Sequence, residues 1–155
     1  MDREELRFTE EMGAVFDQSG WSRMAGRVWG YLLIVDAEQL SAAELAEALD
    51  ASLSSVSSAT RELTGLGMLD RIRQPGERRD YFTIHHGSML NLVRRRFEMV
   101  AVLENLAGRA RESFGERPIA QPHLEELDEV YAWFARELPL LVERYVAQKG
   151  STKRR

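Results

Sequence analysis

Cysteine is absent from the 155 residues of this chain. Its absence excludes disulfide bonds, thiolate metal sites and direct thiol redox sensing. No apolar run is long enough to cross a membrane and no signal peptide opens the chain, so we expect a cytoplasmic protein with no membrane partner. With 155 residues, 44% of them hydrophobic, the chain has the size of one domain and enough apolar material for a core.

Motifs that support catalysis or metal binding are also missing. The chain has no HExxH, no phosphate-binding glycine loop, no G-x-S-x-G and no cysteine nucleophile. His85 and His86 adjoin a predicted strand, where neighbouring side chains point to opposite faces, and His123 is distant in sequence. The paired carboxylates Glu125 and Glu126 fall in an acidic first helical turn, where they complement the helix dipole. We therefore expect no enzyme, no metal site and no cofactor.

The net charge is small, but its distribution along the chain is uneven. The chain has 21 Lys and Arg against 25 Asp and Glu, a net charge of -4, which by itself is unusual for a nucleic-acid-binding protein. Residues 61–96 contain eight basic and four acidic residues, whereas residues 1–60 contain four and 11 and residues 97–148 contain five and ten. Positive charge is therefore concentrated in one central segment, and the acidic flanks would repel DNA and orient the molecule.

The residues from Ser41 onward predict a short helix followed by a turn. Ser41 precedes Glu44 at the capping-box spacing, and apolar residues then recur at helical intervals to form one narrow apolar face. We expect this helix over residues 42–49. Residues 50–52 interrupt the pattern before a second helical pattern begins, which is the order of a helix, a turn and a helix.

The second helix has a polar face rich in serine. Its inward face is predicted from Leu53, Val56, Thr60 and residues 63–66. The opposite face carries Ser54, Ser55, Ser57, Ser58 and Arg61. Short hydroxyl side chains let a helix approach DNA closely and bond phosphates or base edges, and an arginine reaches further. A solvated polar face is the alternative interpretation, but serine has modest helix propensity, so this pattern indicates a role other than stability.

A two-stranded hairpin rich in arginine is predicted after this helix. Gly65 and Gly67 mark the end of the helix, and strand-forming residues lie on either side of the turn formers Pro75 and Gly76. The hairpin carries Arg71, Arg73, Arg78 and Arg79. Guanidinium groups fit phosphate oxygens by forked hydrogen bonds, so this density of arginine predicts contact with the DNA backbone or the minor groove.

As a set, these motifs resemble the winged helix-turn-helix of the multiple-antibiotic-resistance regulator (MarR) family. The resemblance is carried by three segments between Leu40 and Ile84, namely ELAEAL, SSVSSATRELTGLGMLDRI and PGERRDYFTI. The preceding segment RMAGRVWGYLLI resembles the GbsR-type branch of the family. The wing turn, DPG or DRR in the family, contains Glu77 here, which lowers the positive charge slightly. The resemblance covers nearly the whole chain. It implies a mainly α fold with a winged helix-turn-helix, long N- and C-terminal dimerisation helices and a two-stranded β wing, in a protein that controls transcription.

Long helices outside the winged unit predict a dimer. Dimerisation helices are expected at about residues 3–18 and within residues 86–148, around a winged helix-turn-helix at about residues 21–85, with a disordered basic tail at residues 149–155. Apolar residues of the last helix are spaced alternately by three and four, as in a supercoiling helix pair. They are Leu124, Leu127, Tyr131, Phe134, Leu138, Leu141 and Tyr145.

These apolar stripes need a partner. Helices about 40 Å long, at ~1.5 Å per residue, are too long for a winged head of about 45 residues to cover. A second copy of the chain would bury them and place two recognition helices on successive major-groove faces of a palindromic site. An intramolecular helical hairpin is the alternative. The resemblance also implies that the first helix joins the dimer interface.

A small effector is suggested by the resemblance. Similar regulators bind small, often aromatic or anionic, ligands in the crevice between the winged head and the dimer helices. Trp21, Met24 and Arg27 are the candidates for this role here. A core position, or for Arg27 a buried ion pair, is the alternative.

The sequence thus predicts a sequence-specific DNA-binding transcriptional regulator. We expect a homodimeric repressor of a palindromic operator on double-stranded DNA, relieved by a small aromatic or anionic ligand. The serine face and Arg61 would enter the major groove. The wing would be held on the DNA backbone or in the minor groove by Arg73, Arg78 and Arg79. The rival interpretation is a protein-binding winged helix whose basic hairpin grips an acidic partner.

Overall fold

The computed structural model describes residues 2–76 and 79–152. In chain order the elements are α1 Arg3–Gln18, α2 Arg23–Ile34, β1 Leu40–Ser41, α3 Ala42–Ala48, α4 Leu53–Gly65, β2 Leu69–Arg73, β3 Asp80–Ile84, α5 Ser88–Phe114 and α6 Gln121–Thr152. The chain forms two compact units, Met1–Asn91 and Leu92–Arg155. The fold is mainly helical with a winged helix-turn-helix, as the sequence predicted.

Helices α1 and α2 pack closely because glycines lie where they cross. A Cβ atom on Gly26 would lie 2.5 Å from the carbonyl oxygen of Met12 and 2.7 Å from Cβ of Phe16. A Cβ atom on Gly30 would lie 2.8 Å from Cβ of Met12. Any larger residue would push the two backbones apart. Helix α1, expected to belong to the dimer interface, is therefore also an integral part of the first unit.

Local capping fixes the helix-turn-helix. The Ser41 side chain accepts a hydrogen bond from Glu44 N at 3.3 Å, and Ser41 N donates to the Glu44 carboxylate at 2.7 Å, which completes the predicted capping box. Asp50 follows α3 with a φ of 46°, in the left-handed region. Beneath these helices lie side chains that are less than 2% exposed: Phe16, Val28, Leu45, Leu49, Val56, Leu63 and Met68.

The wing belongs to a three-stranded antiparallel sheet in the order β1-β3-β2. Strands β2 and β3 pair with Leu69 opposite Ile84 and Arg73 opposite Asp80. The two residues of β1 add to the other edge of β3, with Leu40 opposite Phe82. The prediction of a two-stranded wing was therefore incomplete. A two-residue strand has no alternating pattern of its own, so only its pairing with β3 defines it.

The second unit contains most of α5 and all of α6. Arg111 of α5 forms an ion pair with Asp128 of α6. Helix α6 contains Pro139 and extends to Thr152, so residues 149–152 of the expected tail are helical. Lys149 favours helix, and no proline follows to stop the helix. Among residues 2–76 and 79–152, no helix is both long and apolar enough to cross a membrane.

Candidate nucleic-acid interface

Helix α4 buries one face and exposes the face rich in serine. Val56, Ala59, Thr60 and Leu63 are buried. On the other side Ser54, Ser55, Ser58 and Arg61 are exposed and Ser57 is half-buried. Leu53, predicted to point inward, is 55% exposed. That prediction was wrong because Leu53 is the first residue of α4, beyond the core contacts that begin at Val56.

The N-terminus of α4 presents a cluster of three hydroxyl groups. Ser52 caps the helix and accepts a hydrogen bond from Ser55 N at 3.2 Å. Its Oγ lies 3.1 Å from Oγ of Ser54 and 2.7 Å from Oγ of Ser55. Hydroxyl groups donate and accept, so this cluster can bond phosphate oxygens or base edges.

Arg61 lies along the surface of its own helix. Its Nε donates to the carbonyl oxygen of Ser57 at 3.1 Å, and its Nη2 donates to Oγ of Ser58 at 3.2 Å. In the part of the chain that the structure describes, no carboxylate forms an ion pair with Arg61. Its charge is therefore available to a nucleic-acid phosphate or a base edge.

Two wing arginines share one carboxylate. Arg71 and Arg73 lie two residues apart on one face of β2, and Arg73 is directly opposite Asp80 of β3. Arg71 Nη2 forms an ion pair with Asp80, and Arg73 Nε lies 3.0 Å from Asp80 Oδ1. Hydrogen bonds from Arg71 and then Arg73 hold the pKa of the Asp80 carboxyl below its ordinary value. Sequence reasoning counted these arginines and missed the acid opposite them, because the turn residues alone do not fix the register that pairs Arg73 with Asp80.

A concavity of about 590 Å³ lies between α4 and the wing. Its basic lining residues are Arg61, Arg71 and Arg79. The rest of the lining consists of residues 41–43, of Leu53, Ser57, Thr60 and Thr64 of α4, and of Asp80 and Phe82 of β3. Among the described residues, the surface between α4 and the wing is therefore concave and lined by three arginines and one aspartate, with an apolar patch.

The predicted wing residues are only partly described. Arg79 is exposed, and Arg73 is 75% exposed despite its contact with Asp80. Arg78, the third arginine predicted to bind DNA, and its neighbour Glu77 lie outside the described residues. The structure thus brings Arg73 and Arg79 to the same hairpin as predicted, with Arg79 on the concavity.

The three candidate effector-binding residues make contacts within the first unit. The Trp21 ring lies 5.1 Å from the Phe16 ring. Arg27 Nε lies 2.7 Å from Glu10 Oε1, although its N–H is not aligned for a hydrogen bond. Arg27 Nη1 lies 4.0 Å from Sδ of Met24. A hydrogen bond from Arg23 lowers the pKa of Glu10, and the charge of Arg27 contributes to the lowering.

The predicted dimer seam divides into two sets in the single chain. Leu124, Leu127, Tyr131 and Leu138 are half-buried, whereas Phe134, Leu141 and Tyr145 are 42%, 48% and 51% exposed. A further exposed set, not included in the seam, consists of Val130, Trp133, Leu140 and Val146. Trp133 packs edge-on against Phe134 with the ring centroids 4.9 Å apart. Helix α6 therefore exposes a broader apolar surface than one heptad seam.

Comparison with known proteins agrees with this architecture. Residues 23–80 match the model of the MarR family, and residues 87–148 match that of the MmpR5-like MarR family transcriptional regulators. The HTH-type transcriptional regulator MmpR5 of Mycobacterium tuberculosis (strain ATCC 25618 / H37Rv) is 32% identical over 146 residues, which cover 94% of this chain and 88% of that protein. A crystal structure described as that of a transcriptional regulator is 31% identical and superimposes with a TM-score of 0.75, covering 93% of this chain and 99% of the other. The chain therefore belongs to the MarR family of transcriptional regulators, which are DNA-binding proteins.

Proposed function

We propose that this protein is a homodimeric repressor that binds a palindromic operator through α4 and the wing. The observation that carries the proposal is the concave surface of three arginines beside the exposed hydroxyl face of α4. A recognition helix in the major groove needs small polar side chains on its outer face, and a wing against phosphates needs guanidinium groups. The polar outer face of α4 is supplied by Ser54, Ser55, Ser57, Ser58 and Arg61. The guanidinium groups of the wing are supplied by Arg73 and Arg79, together with Arg78, which precedes Arg79 in the sequence.

Dimerisation is supported by apolar side chains that the single chain leaves exposed in the second unit. Met99 and Val102 of α5 are 61% and 58% exposed, and Trp133 of α6 is 50% exposed. Large apolar side chains left exposed in such number favour an interaction surface in this unit. A second copy of the chain is the occupant that would also double the DNA-binding surface, with one α4 for each half of a palindrome.

We further propose that a small aromatic or anionic effector relieves repression. Trp21, Met24 and Arg27 are the candidates, and Arg27 also contacts Leu49 at the end of α3, next to the turn that leads into α4. An anion that binds Arg27 would compete with its hydrogen bond to Leu49, and only the turn at residues 50–52 separates Leu49 from the recognition helix. The resemblance of α2, with the sequence RMAGRVWGYLLI, to the GbsR-type branch stays a prediction. We also propose that the protein acts in the cytoplasm, where its DNA lies, and that it has no catalytic activity.

Selection of DNA from a pool of random duplexes tests the proposal directly. We expect the purified protein to enrich one palindromic duplex and to bind it at least 100-fold more tightly than scrambled DNA at moderate salt. Light scattering should give twice the chain mass. A chain that stays monomeric, or a pool in which no duplex is enriched, would contradict the proposal, and the latter would favour the protein-binding interpretation.

A pair of substitutions on α6 separates dimerisation from folding. Leu141→Lys places a charge in the exposed apolar surface and should shift the protein towards monomer and weaken operator binding. Glu129→Lys is the matched control, because Glu129 is an exposed polar position on the same helix. Both variants should keep the helical circular-dichroism signal. Dimers of equal stability for the two variants would refute the role of this surface.

A further inference from the structure

Leu53 interrupts the polar surface of the recognition helix α4. It is the first residue of the helix, it is 55% exposed, and its neighbours Ser52 and Ser54 are both exposed serines. A single exposed leucine is ordinary on a protein surface. This leucine, however, lies on the one face where the remaining exposed residues are hydroxyls and an arginine.

The position of Leu53 on the helix is specific. Leu53, Ser57 and Arg61 follow one another at intervals of four, so they share one flank of α4. That flank faces the concavity, which Leu53 lines together with Phe82 of the wing. An aliphatic group is thus held on the DNA-facing surface, with a guanidinium two turns further along the same flank.

Among the groups that a major groove displays, one matches an aliphatic side chain. Recognition helices of helix-turn-helix proteins contact base edges with their N-terminal residues, and Leu53 is the N-terminal residue of α4. The base edges carry hydrogen-bond donors and acceptors, except for the C5-methyl group of thymine. A leucine set against a hydrogen-bond donor or acceptor of a base would leave that polar group without a partner.

We propose that Leu53 is a specificity-determining residue that packs against the C5-methyl group of a thymine in each half-site of the operator. The proposal rests on the proposed DNA-binding role of α4 and names the base chemistry that one residue of that helix selects. The serine hydroxyls and Arg61 then supply hydrogen bonds, and Leu53 supplies the apolar contact. Burial of one methyl group is worth about a fourfold change in affinity, or roughly 15-fold for both half-sites.

Replacement of thymine by deoxyuridine tests this contact, because it removes the methyl group and leaves base pairing intact. The operator enriched by selection is synthesised with each thymine replaced in turn, symmetrically in both half-sites. Dissociation constants of the full-length protein are measured by fluorescence anisotropy at fixed salt. At one symmetric pair of positions, we expect wild-type protein to bind the deoxyuridine duplex roughly 15-fold more weakly.

Variants assign the effect to Leu53. Leu53→Ala should bind the thymine and deoxyuridine duplexes within twofold of each other at that position. Leu53→Met keeps an apolar side chain and should retain most of the discrimination. Ser58→Ala, on the same exposed surface, is the matched control, and it should weaken binding to both duplexes by the same factor.

The outcomes separate this inference from the proposed function. An enriched operator whose thymines are all insensitive to deoxyuridine, or whose sensitive position stays sensitive in Leu53→Ala, overturns the role of Leu53 and leaves the regulator proposal standing. An operator with no thymine in its half-sites does the same. Failure to enrich any duplex overturns both.

Discussion

Arg27 of α2 donates a hydrogen bond from Nη2 to the carbonyl oxygen of Leu49 at 2.8 Å. Leu49 is the C-cap of α3, so this bond satisfies a helix-terminal carbonyl that has no partner within its own helix. The same guanidinium also contacts Glu10 of α1. One side chain thereby joins α1, α2 and the turn that precedes the recognition helix.

Replacement of Arg27 should therefore destabilise the first unit. The side chain of Arg27 is 16% exposed, and Arg27→Met would remove its hydrogen bond and its charge from a largely buried position. We expect the free energy of unfolding to fall by about 2 kcal/mol, measured by urea denaturation at fixed protomer concentration. Arg23→Met, which removes a 55% exposed partner of Glu10, is the control and should cost less than about 1 kcal/mol. Equal losses would show that the bond to Leu49 contributes nothing.

The glycine at the α1–α2 crossing gives a second prediction. Gly26→Ala would place a Cβ atom 2.5 Å from the Met12 carbonyl oxygen, so the helices must separate. We expect a loss of about 2 to 3 kcal/mol in the free energy of unfolding. At Gly65, an added Cβ meets no atom within 4 Å, so Gly65→Ala should change stability by at most about 1 kcal/mol. A stable Gly26→Ala variant would disprove this close packing.

Arg61 and Arg79 should affect DNA binding in different ways. Arg79 lies on the wing, and Arg79→Ala should weaken binding to all sequences and reduce the salt slope by about one unit. Arg61 lies on the recognition helix, and Arg61→Ala should in addition change which duplexes are enriched. Gel-shift titrations over a range of salt, with selected and scrambled duplexes, measure both effects. Unchanged affinity in both variants would rule out these roles.

Asp80 should limit non-specific binding, because it pairs with two wing arginines and offsets part of their positive charge. Asp80→Asn removes the carboxylate that pairs with Arg71 and Arg73. We expect tighter binding to scrambled duplex at low salt and a steeper salt dependence, measured by fluorescence anisotropy. Asp70→Asn is the matched control, since it makes the same change in charge on the opposite face of β2, where Asp70 pairs with His85. An equal gain for the control would mean that net charge alone matters.

Elements defined by local interactions could be predicted from the sequence. The capping box of Ser41 and Glu44 placed the start of α3 correctly, α1 has the predicted bounds, and the two strands of the hairpin lie on either side of Pro75 and Gly76 as predicted. Each depends on residues within a few positions of one another. The serine face of α4 follows equally from helical periodicity, because the buried and exposed positions are set by the same 3.6-residue repeat.

Features that depend on remote residues could not be predicted in this way. The strand β1 exists only through its pairing with β3, and the pairing of Asp80 with two arginines depends on its register opposite Arg73. The exposure of Leu53 reflects where α4 begins relative to its neighbours, which a periodic pattern does not specify. The close crossing at Gly26 likewise requires knowledge of what lies opposite it.

By itself, then, the sequence determined which segments are helix or strand, which face of α4 is polar and where positive charge is concentrated, because caps, periodicity and charge act over short distances along the chain. The tertiary structure alone decided that Arg27 links α1 and α2 to Leu49 and that Asp80 forms ion pairs with two wing arginines. It also decided that Leu53 and Arg61 line the same concavity. Each of these relationships depends on how neighbouring elements pack or pair, and interactions between residues close together along the chain do not specify that arrangement.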